Sequence, residues 1–218
     1  MLYKETVSES TLEIIQQLCK LEELLDFELV GGTALSLYIG HRVSVDIDLF
    51  CKNNFDVRQI KEWLLDYFVG HQITFDYEAK NTLIGSIDAI KIDFIRHAYP
   101  TLRNSGTIEG VRLSSMEDIA AMKLSAITDN GTRIKDFVDL YYLLQHFSLK
   151  DIIQFYQAKY QSANPLFALK SISYFNDINP ASINEIFFAE AKRISFEELK
   201  STLIKATDDY FKNEVGLL

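Results

Sequence analysis

"VGGTALSLYIGHRVSVDIDLF", residues 30–50, is the most informative part of the sequence, because it joins a glycine pair, an apolar segment and two closely spaced carboxylates. Gly31 and Gly32 follow a short β-like run, "FELV", and precede the helix-forming segment "TALSLYI". Adjacent glycines favour a turn, and Gly40 is well suited to end a helix. The first half of this stretch therefore predicts a strand, a turn and a short helix.

The second half of the stretch, "VSVDIDLF", alternates with period two and is rich in β-branched residues. This pattern predicts a strand at residues 43–50. Asp46 and Asp48 have the same parity and would project from the same side of that strand. Because carboxylates among Val, Ile and Leu are costly to desolvate, something must compensate them.

A divalent cation beside a triphosphate is the compensation that we expect. A helix that begins at glycines presents unpaired backbone N–H groups to an anion, so Gly31, Gly32 and Thr33 could cradle phosphates. Mg²⁺ prefers oxygen ligands and commonly bridges carboxylates to substrate phosphates, so Asp46 and Asp48 are candidate metal ligands. The pattern indicates a site for a nucleoside triphosphate and Mg²⁺ (or Mn²⁺).

A third carboxylate on a neighbouring strand would complete a two-metal site. Asp93, within the β-like run "IKIDFI", is the best candidate, and Asp88 is the alternative. Asp93 could instead be an exposed residue on an edge strand with no role in metal binding. The sequence alone leaves the choice open.

The character of the chain changes near residue 114. Residues 1–113 mix helical and β-like runs, whereas residues 114–218 are helical in pattern. Ser115, Pro165 and Ser195 stand where helices commonly begin. We expect two domains, 1–113 and 114–218.

The bulk composition is that of a globular chain of 218 residues with a formal net charge of −9. This charge argues against broad nonspecific nucleic-acid binding, which relies on many Lys and Arg contacts. Its two cysteines match no metal spacing, and no apolar stretch approaches the length of a membrane helix. The N-terminus lacks a signal-peptide core, so we expect a cytoplasmic protein without a membrane partner.

The order of these motifs resembles a known superfamily. A hydrophobic residue, Gly-Gly, a spacer of 13 residues and Asp-Ile-Asp-Leu, with a later isolated Asp in a strand, resemble the DNA polymerase β-type nucleotidyltransferases. The finer wording "GGTALSLYIGHRVSVDIDLF", followed later by "KLSAITDNGTRIKDFVDLYYLL", is similar to the AbiEii toxin family, whose relatives include the MenT toxins. The resemblance implies an α+β fold with a nucleotidyltransferase-type mixed β-sheet flanked by helices. A C-terminal helical bundle would follow the sheet and complete the active-site cleft.

The resemblance also implies an activity: transfer of a nucleoside monophosphate from an NTP to an acceptor hydroxyl, with release of pyrophosphate. In the family the acceptor is the 3′ end of tRNA, and the enzyme acts as the toxin of a toxin-antitoxin or phage-defence system with a cognate antitoxin. The matching positions are Asp46, Asp48 and Asp93 for catalysis and metal binding, Lys123 and Asp136 for catalysis, and Gly31, Gly32, Thr33, Arg42 and Ser44 for nucleotide binding.

The second motif, "KLSAITDNGTRIKDFVDLYYLL", also allows interpretations without a catalytic role. Lys123 could lie on the solvated side of an amphipathic helix. Asp136 could be solvated or paired with Arg133 and Lys135, and Asp139 is expected to be structural or to support a neighbouring ligand.

Two other functions fit parts of the pattern. A small-molecule nucleotidyltransferase, such as those that modify aminoglycosides, would share the catalytic strands and is compatible with an acidic chain. A non-catalytic nucleotide-binding module would retain the fold but is disfavoured, since the glycine pair and all three aspartates are present.

Overall fold

A computed structural model of the chain describes residues 1–215. The chain divides into two compact units. Residues 1–99 and 104–114 form the first unit, and residues 100–103 and those from 115 onward form the second. The prediction that residues 114–218 complete the active-site cleft stays a prediction.

The first unit opens with a helix, α1 (Glu9–Lys20), which begins at Ser8, whose side chain accepts a hydrogen bond from the Thr11 N–H. Its buried face includes Ile14, Ile15 and Leu18, at the spacing that an amphipathic helix needs. The helix ends at Lys20, and a short 3₁₀ turn, Glu22–Leu24, follows it. It is therefore shorter than the apolar periodicity of residues 8–27 predicts.

A short strand and a helix follow, as the opening stretch predicts. The strand β1 (Glu28–Leu29) leads into the helix α2 (Gly31–Ile39), which Gly40 ends with a left-handed backbone at φ +64°. The expected strand over 43–50 is only half right. Regular pairing begins at β2 (Ile47–Cys51), because the backbone before it is engaged elsewhere: the Ser44 N–H donates to the Thr6 carbonyl at 2.9 Å.

The rest of the first unit builds one mixed sheet with the order β3-β4-β5-β2-β1-β7-β6. Its remaining elements are α3 (Val57–Tyr67), β3 (Ile73–Ala79), β4 (Thr82–Ile87), β5 (Ile90–Arg96), β6 (Gly106–Ile108) and β7 (Val111–Leu113). Central β2 pairs antiparallel with β1 and parallel with β5. Buried Ile47, Leu49, Ile92 and Phe94 form the core at this pairing.

The hairpin β6–β7 was not predicted from the sequence. The turn between the strands consists of Glu109 and Gly110, both with positive φ. Two consecutive residues with positive φ form the tight turn that joins twisted antiparallel strands. The Glu109 side chain ties this turn to the N-terminal segment: it accepts a hydrogen bond from the Leu2 N–H and forms an ion pair with Lys4.

The second unit is helical in its described part, with the helices α4 (Met116–Asp129), α5 (Ile134–Leu143), α6 (Leu149–Lys159), α7 (Pro165–Ile172) and α8 (Phe196–Tyr210). The predicted helix starts are confirmed: Ser115 and Ser195 accept hydrogen bonds from the third residue of their helices, and Pro165 occupies a first turn. The expected α+β class, a mixed sheet followed by helices, is confirmed.

A buried ion pair fixes the 100–103 segment within the second unit. The Asp118 carboxylate accepts hydrogen bonds from the Lys159 ammonium at 2.6 Å, the Ser115 hydroxyl at 2.6 Å and the Leu102 N–H at 3.1 Å. Lys159 also donates to the Pro100 carbonyl at 3.0 Å. Within residues 1–215, no helix is both long and apolar enough to cross a membrane.

Candidate active site

The glycine pair at the start of α2 makes room for two charged side chains. Gly31 has φ +71°, and a Cβ atom built on it would overlap the carboxylate oxygen Oδ2 of Asp48. A Cβ atom on Gly32 would overlap the guanidinium of Arg42. At Gly31 both the positive φ and the close approach favour glycine, whereas at Gly32 only the close approach of Arg42 does. The side chains of Asp48 and Arg42 therefore lie directly against the first turn of α2.

Hydrogen bonds fix the Asp-x-Asp segment to the same turn. The Val30 N–H donates to the Asp48 carbonyl at 2.9 Å. The Thr33 hydroxyl lies 2.9 Å from Ser44 Oγ and donates to the Asp46 carbonyl. Since Val30, which precedes the helix, offers no side-chain cap, the first N–H groups of α2 receive no hydrogen bond from it.

Arg42 brings a buried positive charge to this turn. Its residue is 4% exposed, and its Nη1 donates to the Val43 carbonyl at 3.1 Å. A guanidinium and the N-terminus of a helix are both groups that can bind an anion. The structure thus places Gly31, Gly32, Thr33, Arg42, Ser44 and Asp48 at one turn, together with the backbone carbonyl of Asp46, and their binding roles stay predictions.

Asp93 lies beside Asp48 on the neighbouring strand. The parallel pairing of β2 and β5 places these two residues directly opposite each other. The Asp93 side chain is 11% exposed, and its Oδ2 accepts the Lys91 ammonium at 2.7 Å. Its Oδ1 is buried and has no hydrogen-bond partner among the described residues. A buried carboxylate oxygen without a partner is costly, and a cation would satisfy it.

Lys91 is a residue of this site that sequence reasoning missed. Burial alone would lower the pKa of its ammonium, but the hydrogen bond to Asp93 and the charges of Asp93, Asp48 and Asp46 outweigh burial and raise the pKa. Lys91 is therefore ionised at neutral pH, and its ammonium interacts electrostatically with all three carboxylates. The signal was present in "KID", where Lys91 and Asp93 have the same strand parity.

The alternative third carboxylate, Asp88, occupies a turn. It follows β4 with φ +49° and accepts hydrogen bonds from the Gln72 N–H at 2.9 Å and the His71 ring at 2.7 Å. These two hydrogen bonds lower the pKa of its carboxyl group. Asp88 has a local role in this turn, and the strand register favours Asp93 as the partner of Asp48.

The donor chemistry of the three aspartates fits a hard divalent cation, since every side-chain ligand is a carboxylate oxygen. Asp48 and Asp93 are in register, and Asp46 stands two residues before Asp48. Within residues 1–215, however, no group of three or more His, Cys, Asp or Glu side chains is gathered closely enough to hold a metal ion. The ligands are adjacent, and a cation would have to draw them together.

The second motif forms a separate buried cluster in the second unit. Lys123 on α4 contacts two carboxylates of α5, Asp136 Oδ1 at 2.8 Å and Asp139 Oδ2 at 2.7 Å. The Lys123 side chain is 9% exposed, so it does not lie on the solvated side of its helix. Arg133 lies 3.4 Å from the other oxygen of Asp136. The catalytic roles of Lys123 and Asp136 stay predictions, and Asp139 joins them as a direct partner of the lysine.

A comparison with known sequence families identifies the family of this chain. The profile described as "Nucleotidyl transferase AbiEii toxin, Type IV TA system" matches residues 14–213. The chain belongs to the AbiEii nucleotidyltransferase family. The match includes both motifs and most of the helical unit, so the resemblance and the enzyme class are confirmed.

Relatives of this AbiEii protein extend over nearly its whole length. An uncharacterized protein of Aquifex aeolicus is 30% identical over 207 residues, which cover 92% of this chain and 96% of the relative. Among solved structures, JHP933 from Helicobacter pylori has a TM-score of 0.59 at 19% identity, with 96% of this chain and 95% of that chain covered. The nucleotidyltransferase toxin MenT4 from Mycobacterium tuberculosis has a TM-score of 0.56 at 12% identity, with 91% and 82% covered. These structural similarities show that the fold is shared.

Proposed function

We propose that this AbiEii protein transfers a nucleoside monophosphate from an NTP to the 3′ end of tRNA, with release of pyrophosphate. We further propose that it does so in the cytoplasm as the toxin of a toxin-antitoxin or phage-defence system with a cognate antitoxin. The observation that carries the chemistry is the adjacency of Asp48, Asp93 and the first turn of α2. It puts carboxylates beside an anion-binding helix terminus, as a metal-bound triphosphate requires.

The residues of the first unit divide the work. Arg42 and the first N–H groups of α2 bind phosphate oxygens. Asp46, Asp48 and Asp93 would hold Mg²⁺ or Mn²⁺, and a bound divalent cation supplies Lewis-acid stabilisation of the phosphoryl oxygens. Thr33 and Ser44 keep the Asp46 backbone in place. We assign to Asp93 the position nearest the acceptor hydroxyl, where its carboxylate accepts the proton.

A labelling assay tests this proposal. The purified protein is incubated with each α-³²P-labelled NTP, Mg²⁺ and total tRNA, beside an Asp46→Asn/Asp48→Asn variant and an Asp76→Asn control. Asp76 is an exposed aspartate of β3 in the same sheet, so its loss removes a carboxylate without touching the site. We expect labelled tRNA with the wild type and the control, and a loss of at least ~10³-fold in the double variant.

Other outcomes would redirect the assignment. The same reaction is repeated with an aminoglycoside as the acceptor, and label on that small molecule but never on RNA would make the protein a small-molecule nucleotidyltransferase. Nucleotide binding that needs no Mg²⁺ and yields no transfer to any acceptor would make it a binding module. Label on RNA that survives loss of both carboxylates would contradict the proposed site.

A further inference from the structure

The ammonium of Lys91 supplies a positive charge next to Asp93, at the aspartates proposed to bind the cation. It lies 2.7 Å from Asp93 Oδ2, and the charges of Asp46 and Asp48 act on it as well. Lys91 therefore pairs directly with Asp93 and lies within range of the charges of the other two aspartates. Like charges that close repel each other, and a nearby positive charge reduces the repulsion.

The ammonium of Lys91 can move away from Asp93 without crossing the protein interior. Its side chain is 50% exposed, in contrast to the 11% of Asp93, so the ammonium can withdraw into solvent along its flexible stem. An ion pair with one half-exposed partner contributes little to stability, because solvent screens the charges and the flexible side chain loses entropy. Lys91 also leaves Asp93 Oδ1 unsatisfied, so it neutralises the cluster only in part.

We propose that Lys91 is a positioning residue, a tethered counter-ion that holds Asp93 in the metal-free protein and is displaced when a divalent cation binds Asp46, Asp48 and Asp93. This inference rests on the proposed function, because it assumes that these aspartates are the metal ligands. It accounts for ligands that are adjacent but not gathered: in the metal-free state, Asp93 is held towards Lys91. Metal affinity in the absence of NTP is then lowered by competition with the lysine.

The test is a titration of the full-length, metal-free protein with Mn²⁺, followed by electron paramagnetic resonance of the free ion. Wild type is compared with Lys91→Met, which keeps the length of the side chain but removes its charge. Lys61→Met is the matched control, because Lys61 also pairs with a carboxylate of the same unit, Glu78 at 2.9 Å. We expect Lys91→Met to bind Mn²⁺ about 3- to 10-fold more tightly than wild type, and Lys61→Met to match wild type.

A second readout excludes a general defect in folding. Metal-free Lys91→Met should melt at a lower temperature than wild type, and saturating Mn²⁺ should raise its melting temperature by more than it raises that of wild type. Lys91→Arg, which retains the charge, should bind Mn²⁺ as weakly as wild type.

The outcomes separate the two proposals. Equal or weaker Mn²⁺ binding by Lys91→Met, with clear binding by wild type, overturns the role of Lys91 and leaves the metal site intact. No Mn²⁺ binding by either protein overturns both the role of Lys91 and the proposed metal ligands. Binding that only Lys91→Met shows supports the inference in its strongest form.

Discussion

Asp93–Lys91 and Asp118–Lys159 are both aspartate–lysine pairs, with N–O distances of 2.7 and 2.6 Å, yet their surroundings differ. Asp118 and Lys159 are 1% and 3% exposed, and every carboxylate oxygen of Asp118 has partners. Asp93 keeps a buried oxygen that has no hydrogen-bond partner within residues 1–215, and its lysine is half exposed. A buried ion pair in which every oxygen has a hydrogen-bond partner is typical of a structural role. A pair that leaves a buried oxygen without a partner is a candidate site for a ligand.

The largest effect is expected from Asp118→Ala, which would leave Lys159 buried without its counter-charge. We expect the free energy of unfolding in urea to fall by about 3–5 kcal/mol. Asp151→Ala is the matched control, since Asp151 also stands three residues after a capping serine but is only half-buried. Its loss should cost about 1 kcal/mol or less. Equal losses in the two variants would show that the buried pair contributes no more than a half-buried cap.

The next effect concerns Asp48, on the other side of the aspartate cluster. Gly31→Ala should cost about 2–3 kcal/mol, because it combines a positive φ with displacement of the Asp48 carboxylate. It should also abolish nucleotidyl transfer. Gly70→Ala is the control: Gly70 has φ +92° but nothing within 4 Å of a new Cβ atom, so only the backbone term applies. Transfer activity that survives in Gly31→Ala would separate Asp48 from the chemistry.

Acid should weaken the satisfied pair. Burial raises the pKa of Asp118, but the hydrogen bonds from Lys159, Ser115 and Leu102 outweigh it and lower the pKa below the usual value of 3.8. The stability that this carboxylate contributes is present above its unfolded pKa and is lost as pH falls through its lower folded pKa. Urea unfolding between pH 5.5 and pH 2.5 should show this loss below about pH 4.

The same titration in Asp118→Asn isolates the contribution of this carboxyl group. Asp88, Glu109 and Asp151 also have lowered pKa values, and their contributions remain in the variant. The loss in wild type should be smaller than that caused by Asp118→Ala, because a protonated carboxyl group keeps some of its hydrogen bonds. Parallel pH profiles for wild type and Asp118→Asn would contradict a lowered pKa of Asp118.

The smallest effect on stability is expected from Asp93→Asn. The change removes an ion pair with a half-exposed lysine but also relieves repulsion from Asp48, so the free energy of unfolding should change by less than ~1 kcal/mol. Transfer activity should nevertheless be lost. A destabilisation as large as that of Asp118→Ala would mean that Asp93 and Lys91 form a structural pair like the other one.

Local patterns predicted much of this molecule. Ser115 and Ser195 begin their helices, and Gly40 ends α2, because a cap or a left-handed residue acts within a few positions of the chain. The alternation around Asp48 and the order of the motifs predicted β2 and the family. The strand prediction was wrong at residues 43–46, where a hydrogen bond from Ser44 to distant Thr6 replaces strand pairing.

The sequence alone was enough to predict the enzyme family and the glycine turn, and it indicated Asp46, Asp48 and Asp93 as candidate ligands. Tertiary structure alone decided that Asp93 faces Asp48, that Lys91 is its partner and that the glycines make room for Asp48 and Arg42. It also decided that Lys159, 41 positions away, neutralises Asp118. The reason is physical: caps and turns depend on neighbours along the chain, whereas strand register and buried charge pairs depend on segments that only folding brings together.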